Sequence, residues 1–341
     1  MERYDERDTI FSRMSLKRGS KRYEEYYKKH PELLEIDNKL RNLPDLSSPE
    51  SPTFDPIESK ISEANFKFLN SLRTMVDFYS DKPGEEVDSV EISQRLKDLA
   101  LYYGAKHSGI TRMKDTHYYS YRGRIGFGYG EKIVEHFPYG LAITVEMKRD
   151  ALDEAPGARE LSESSRAYVE AAVISMQLAH FIRELGYNAR VHIDKNYLVL
   201  VSLVAYDAGL GVFGRNGLLI TPDFGSAVRV GVVTTDLPLI ADEKLNYNIS
   251  EFCKICNICS NTCPGRAIPN GDRKVINGEL RWKINQEKCY EFWRKIGTDC
   301  GICMKNCPFG NGIDLRDLNK DHYLANPKLL FERYMSIQTT R

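Results

Sequence analysis

Outside residues 253–307 the chain has no cysteine; all eight lie inside that window. It also lacks an excess of either charge. Forty-eight Lys and Arg balance 48 Asp and Glu over 341 residues, so the formal net charge is zero. That balance removes any global drive toward nucleic acid or an anionic membrane. No run of about 18 apolar residues occurs, which speaks against a spanning helix. Tyr197–Phe213 comes closest, and Ser202, Asp207, Gly209 and Gly211 interrupt it. The first residues contain neither an apolar signal core nor a twin-arginine pair leading into one, so the chain reads as cytoplasmic. In a reducing compartment, clustered cysteines point to metal rather than to disulfides.

What is present is ordinary for a globular protein, with 42% hydrophobic and 28% charged residues. The length suffices for one large domain or two. Residues 1–84 read as a polar, partly helical extension. Its stretch 17–29 mixes basic and aromatic residues, but Glu24 and Glu25 interrupt the basic run, so it reads as a solvated surface helix. Four prolines and three serines make 43–56 a linker. Helical spacing recurs over 57–110 and over 163–185, where Ala167, Ala171, Ile174, Leu178 and Phe181 fall on one face and Gly186 supplies the stop. β-like runs occupy 141–147, 217–221 and 226–235, the last two joined by the turn Pro222-Asp223-Phe224-Gly225. The expectation is a mixed α+β domain over 85–245, a cysteine module over 246–312 and a polar tail over 313–341.

The cysteines form two motifs. The first is Cys253-x2-Cys256-x2-Cys259-x3-Cys263-Pro264, and the second is Cys289-x10-Cys300-x2-Cys303-x3-Cys307-Pro308. Three thiolates at this spacing cap three irons of one cubane, while the fourth points away toward a second cluster. Cys253, Cys256, Cys259 and Cys307 are therefore assigned to one 4Fe–4S cluster. Cys263, Cys289, Cys300 and Cys303 are assigned to the other, with the widened loop after Cys289 making it the weakest ligand. Zinc ribbons space their ligands in pairs, unlike this doubled run. Two close clusters form an electron wire, which needs a donor at one end and a redox centre at the other.

Gly209-Leu-Gly211-Val-Phe-Gly214 matches a dinucleotide fingerprint literally, but it runs into Arg215-Asn216-Gly217 and a β-run rather than a helix. It reads as a glycine loop built for close backbone approach. On the 163–185 helix, Tyr168, Ala172, Ser175 and Ala179 share one face. Small residues below a tyrosine either leave room for a flat ligand or pack on a neighbouring element. Arg229 stands between Val228 and Val230 and requires a partner. Tyr168, solvent, Asp223 and Asp236 are the alternatives. Lys195 and Asn196 are possible polar pocket residues, and Tyr118, Tyr119 and Tyr121 either line a pocket or form an ordinary loop.

The segment Asp207–Leu239 (DAGLGVFGRNGLLITPDFGSAVRVGVVTTDLPL) resembles the signature of corrinoid-dependent reductive dehalogenase catalytic subunits and, more distantly, of epoxyqueuosine reductases. Arg166–Ala189, Ile284–Gly312 and Arg7–Leu33 resemble other parts of the same family, so the likeness runs along nearly the whole chain. It implies a nitroreductase-like α+β core that binds cobalamin, followed by a bacterial-ferredoxin-like module with two 4Fe–4S clusters. It implies Tyr168 as proton donor, assisted by Arg229. Corrinoid contacts would come from Asn196, Gly211, Arg215, Asn216, Gly217, Leu218, Thr221 and Phe224. Electrons would pass through the clusters to cobalt, and a halide or similar group would leave a small organic substrate, with halogenated aromatics as a candidate class. An external low-potential ferredoxin, flavodoxin or reductase would supply them. The chain has no Asp-x-His-x-x-Gly sequence, and His322 and the other histidines lie in other contexts, so cobalt would carry no protein histidine. The family's respiratory members carry a twin-arginine signal that this chain does not show. The alternatives are a corrinoid reductase of a non-halogenated substrate, as in epoxyqueuosine reduction, and an electron-transfer or corrinoid-handling protein.

Overall fold

A computed structural model of the protein describes residues 3–134, 136–245, 247–276, 279–316 and 326–339. The extension folds first into α1 (Ile10–Ser15), α2 (Lys21–Lys29) and α3 (Pro31–Arg41). The Thr9 and Ser20 hydroxyls cap α1 and α2 by accepting from Ser12 N–H and Tyr23 N–H. The basic–aromatic stretch turns its tyrosines inward. Tyr26 and Tyr27 pack with Leu16, and the Tyr27 hydroxyl donates to Asp37 at 2.7 Å. At the centre is Arg13, only 2% exposed, whose guanidinium meets Asp37 at 3.0 Å and Glu287 at 2.8 Å. Glu287 belongs to the cysteine module, so the extension is not a free arm.

The proline-rich stretch 43–56 is also anchored. Ser47 N–H donates to the Gly297 carbonyl at 2.8 Å and Thr53 Oγ1 to the Ile296 carbonyl at 2.6 Å. The Arg294 guanidinium donates to the carbonyls of Leu43 and Pro44. Lacking regular pairing of its own, the strap satisfies its backbone against the end of a module helix.

Asp55 caps α4 (Pro56–Leu72) and Asp88 caps α5 (Ser89–Tyr102), each accepting from two backbone N–H groups. The strands β1 (Asp77–Phe78), β2 (His107–Arg112), β3 (Tyr139–Glu146), β4 (Ala189–His192) and β7 (Val228–Thr235) make one antiparallel sheet in the order β1-β4-β7-β3-β2. Helix α6 (Arg149–Leu152) and the long α7 (Ala158–Glu184) follow β3. On one face α4, α5 and α7 cover the sheet through Leu69, Leu96, Ile143, Leu178 and Val233; on the other, α8 (Val201–Asp207) covers it through Val204 and Ala205 against Ala142 and Val232. With both faces covered, β3 is buried from Gly140 to Val145 and shows no polar alternation.

The runs 217–221 and 226–235 do not pair with each other. Leu219–Ile220 is β6, which pairs with β5 (Val212–Phe213) around the Gly214–Gly217 turn, while the later run joins the main sheet as β7. Val212 and Ile220 then pack into the cysteine module with Phe252, Trp282 and Phe309. That module holds α9 (Ile249–Cys256), α10 (Ile258–Asn261), a small hairpin β8 (Lys274–Ile276) and β9 (Glu279–Arg281), α11 (Gln286–Ile296) and α12 (Ile302–Lys305). A final helix spans Pro327–Thr339. His322 lies outside the described residues. Among the described residues no helix is long and apolar enough to cross a membrane.

Arg13→Ala would leave Asp37 buried without its cation. The expected loss is about 3–5 kcal/mol, read as a lower chemical-unfolding midpoint together with faster proteolysis of residues 10–41. An unchanged midpoint would show that Arg13 does not hold the extension in place.

Candidate functional site

The sheet's central strand and its longest helix make the site. Gly231 of β7 lies directly under α7: a Cβ there would come within 2.5 Å of Ser175 Oγ and 3.0 Å of the Ala171 carbonyl oxygen. This close approach buries Ser175 and Ala179 at the helix–sheet contact. Tyr168, Ala171 and Ala172, toward the N-terminal end of α7, instead line a cavity of about 1300 Å³. The small-residue face is therefore divided between the two roles open to it, packing at one end and a cavity wall at the other.

Arg229 stands two residues before Gly231 on the same face of β7 and reaches the Tyr168 ring, its Cζ 4.8 Å from the centroid. Its carboxylate partner is Asp299. The guanidinium meets Asp299 Oδ2 at 3.3 Å and donates to Ser164 Oγ at 2.6 Å, and the Ser164 hydroxyl donates to the same carboxylate at 2.7 Å. Asp223 and Asp236, the acids nearest in sequence, are engaged elsewhere, with His107 and with Asn188. Glu160 stands one further turn up α7, fully buried, and neither carboxyl oxygen meets a hydrogen-bond donor. Glu160, Ser164 and Tyr168 are spaced four residues apart, so they form one polar line down the helix. That spacing was visible in the sequence and marks Ser164 and Glu160 as neighbours of Tyr168. Asp299 was hidden, because it joins them only through the fold.

These groups set each other's proton affinity. Arg229 exerts the largest influence on the Tyr168 phenol and pulls it down, but burial, Asp194 and Asp299 push it up and leave it above the ordinary phenol value. The phenol thus keeps its proton at neutral pH, with a cation placed to stabilise the phenolate. Burial alone would weaken the Arg229 charge; Tyr168, Asp299 and Glu160 outweigh it and raise the pKa. Burial and then Asp299 hold the Glu160 carboxyl far above the usual range, so Glu160 is neutral.

The eight thiols form no disulfides and collect in two places. Cys263, Cys289, Cys300 and Cys303 line the large cavity; Cys253, Cys256, Cys259 and Cys307 surround a smaller hollow with Arg215 and Asn216. Each motif's last cysteine stands with the other motif's first three. Among the described residues no three metal-binding side chains converge as one ion requires. Four thiols around a hollow suit a cluster in which each iron takes one thiolate. Burial pushes Cys253, Cys259 and Cys300 up to about 12 and Cys256 and Cys289 up to about 11, so these thiols release protons when metal binds. Hydrogen bonds dock the second motif on α6 and the loop before α7: Arg149 to the Lys305 carbonyl at 2.7 Å, Lys305 to the Ala155 carbonyl at 3.1 Å and Thr298 to the Pro156 carbonyl at 3.1 Å.

Residues 252–311 match the family described as the 4Fe-4S dicluster domain. The tetrachloroethene reductive dehalogenase of Sulfurospirillum multivorans is 33% identical over 175 residues, covering 49% of this chain and 34% of that protein. The chain resembles the reductive dehalogenases. It spans about a third of the length of that relative. The epoxyqueuosine reductase of Lactococcus garvieae is 31% identical over 164 residues, 45% of each chain. The catabolic reductive dehalogenase NpRdhA in complex with 3-bromo-4-hydroxybenzoic acid superposes with a TM-score of 0.74 at 23% identity, covering 85% of this chain and 44% of that one. A reductive dehalogenase structure described as suggesting a mechanism for B12-dependent dehalogenation gives 0.73 at 23% identity, covering 89% and 45%. The shared fold is the α+β core with its C-terminal dicluster module.

The residues expected to contact a corrinoid divide. Asn216 and Leu218 line the large cavity, as does Lys195, held at a φ of 63°. Asn196 is buried behind the wall, accepting from Arg190 at 2.9 Å and donating to the Arg73 carbonyl at 2.7 Å. Gly211, Gly217, Thr221 and Phe224 are not among the lining residues, and Arg215 is at the smaller hollow instead. Of the three tyrosines in 118–121, Tyr119 lines the cavity; Tyr118 is buried, its hydroxyl on the Phe137 carbonyl, and Tyr121 lies under Arg7. His192 also lines the cavity, but its ring nitrogens are engaged with Thr234 Oγ1 at 2.9 Å and Leu198 N–H at 3.1 Å.

Because the folded Glu160 binds its proton more tightly than an unfolded one, it costs stability as pH rises above about 4.3, the ordinary glutamate value. Glu160→Gln removes that cost. Unfolding midpoints should coincide for the two proteins near pH 4 and diverge as pH rises, with the variant the more stable. Parallel curves across pH 4–8 would contradict a neutral Glu160.

Proposed function

We propose that the large cavity holds a cobalamin-type corrinoid and that the holoprotein reductively removes a halide from a small organic substrate. Two electrons and one proton replace the carbon–halogen bond with a carbon–hydrogen bond and release halide. Cys253, Cys256, Cys259 and Cys307 hold one 4Fe–4S cluster, and Cys263, Cys289, Cys300 and Cys303 hold the other. When bound, the corrinoid supplies cobalt able to accept these electrons and to cleave the carbon–halogen bond, without a histidine from the protein.

One observation carries this reading: Tyr168, Arg229 and the second group of four cysteines border the same cavity. Its volume of about 1300 Å³ exceeds what a small substrate fills and suits a large cofactor with substrate beside it. Ala171, Ala172 and Gly231 leave one wall flat. The Tyr168 phenol donates its proton to the substrate carbon. Arg229 stabilises the phenolate left behind, and Asp299 with Ser164 keeps the guanidinium against the ring. The apolar walls exclude water from the reacting bond. An external low-potential donor feeds the first group of cysteines.

Tyr168→Phe, loaded with iron and corrinoid to wild-type content, should turn over a halogenated hydroxybenzoate at least about 100-fold more slowly. Near-normal turnover would remove Tyr168 as proton donor. Reconstituted wild-type protein should retain about one corrinoid per chain. Failure to retain it would favour an electron-transfer role, and activity on epoxyqueuosine-containing tRNA alone would replace the halogenated substrate.

A further inference from the structure

Among the described residues, the buried arginines follow a pattern with one exception. Arg13, Arg73, Arg190 and Arg294 each meet a carboxylate, from Asp37, Asp194, Asp77 and Asp45. Arg215 is equally buried, at 3% exposure, and its donors all end on carbonyl oxygens. Nε donates to Cys253 at 3.0 Å, Nη1 to Pro269 at 2.8 Å and to Gly271 at 3.2 Å, and Nη2 to Lys254 at 3.5 Å. Trp282 covers the guanidinium, with Cζ 4.6 Å from a ring centroid. Among the described residues no carboxylate stands within ion-pair distance of it. A buried cation without a counter-charge is strongly disfavoured.

The counter-charge this site can take lies in the hollow that Arg215 lines together with Cys253, Cys256, Cys259 and Cys307. Four thiolates around a 4Fe–4S core leave a net negative charge in either redox state, and one-electron reduction makes it more negative. We propose that Arg215 is the electrostatic counter-ion of the first 4Fe–4S cluster and holds its reduction potential up, an inference that rests on the cluster assignment above. Arg215 ligates no iron. It acts through its field, which favours the cluster's added electron, in a buried setting where solvent screens little. The carbonyl cradle keeps the guanidinium at a fixed distance from the loop that carries three of the four cysteines. On the wall that carries the second group of cysteines, Arg229 is already paired with Asp299.

The test is an EPR-monitored potentiometric titration of reconstituted protein, with dithionite as reductant. The step belonging to the first cluster is the one altered in Cys256→Ser. In Arg215→Gln that step should move to lower potential by at least about tenfold in its reduction equilibrium, ~59 mV for one electron, while the other step stays in place. Arg215→Lys, which keeps the charge, should remain nearer to wild type. An unshifted step in Arg215→Gln at full iron content overturns the proposal. Should that variant fail to assemble the cluster, Gly271→Asp decides by the same reading. A Cβ at Gly271 meets no atom within 4 Å, so a carboxylate can be added at a residue whose carbonyl accepts from Arg215 without removing the cradle. A lowered first step in Gly271→Asp supports the proposal, and an unmoved one overturns it. Absence of any 4Fe–4S signal from wild-type protein would instead overturn the cluster assignment.

Discussion

The contact between Arg229 and Asp299 joins three distant parts of the chain at one buried point. Arg229 comes from the centre of the sheet, Asp299 from the loop immediately before Cys300, and Ser164, which bonds to both, from the long helix. In a buried setting such a knot is demanding. Each charge is costly unless its partner stands in the right place, so the parts must settle in one relation. The relation they adopt puts the Tyr168 ring against the guanidinium and brings Cys300 to the wall of the same cavity. Glu160 completes the knot by staying neutral, since a second carboxylate beside Asp299 would leave the one guanidinium too little charge to balance both.

The cavity owes its shape to a second constraint, the absence of side-chain bulk. Gly231 lets β7 lie against α7, and Ala171 and Ala172 keep the helix flat where it leaves the sheet. The remaining walls come from distant segments. α4 contributes through Ser59 and Phe66, and the strap before it through Phe54, although that strap has no regular structure and is held by bonds to the end of α11. The extension, the sheet domain and the cysteine module thus share surfaces. Arg13 ties the first to the third, and Val212 and Ile220 carry the second into the third's core.

The two groups of cysteines stand in different electrostatic surroundings, although their motifs look alike. One has a buried arginine stacked on Trp282; the other has the Glu160–Asp299 pair with Arg229 beyond it. That asymmetry is a property of what the fold places near each loop rather than of the cysteine spacing.

Local chemistry was legible from the chain alone. The doubled cysteine spacing indicated two clusters with exchanged fourth ligands, and helical periodicity located α7 and its cavity-facing tyrosine. Arg229, between two valines, was recognisable as a cation that asks for a partner or for solvent. Tyr168 was among the expected partners and lies under the guanidinium, but the carboxylate partner was not recognisable. Asp223 and Asp236 were the nearest acids in sequence, yet Asp299, 70 residues away, makes the bond. The glycine-rich signature is divided by the fold in a similar way. Its residues are contiguous, but the β5–β6 hairpin and the start of β7 send them to different places, Asn216 and Leu218 to the cavity wall and Arg215 to the first group of cysteines. Spacing along a chain determines what one helix face, one loop or one metal motif can present. Which of those surfaces meet depends on burying charge and apolar area together, and only the tertiary structure decides that.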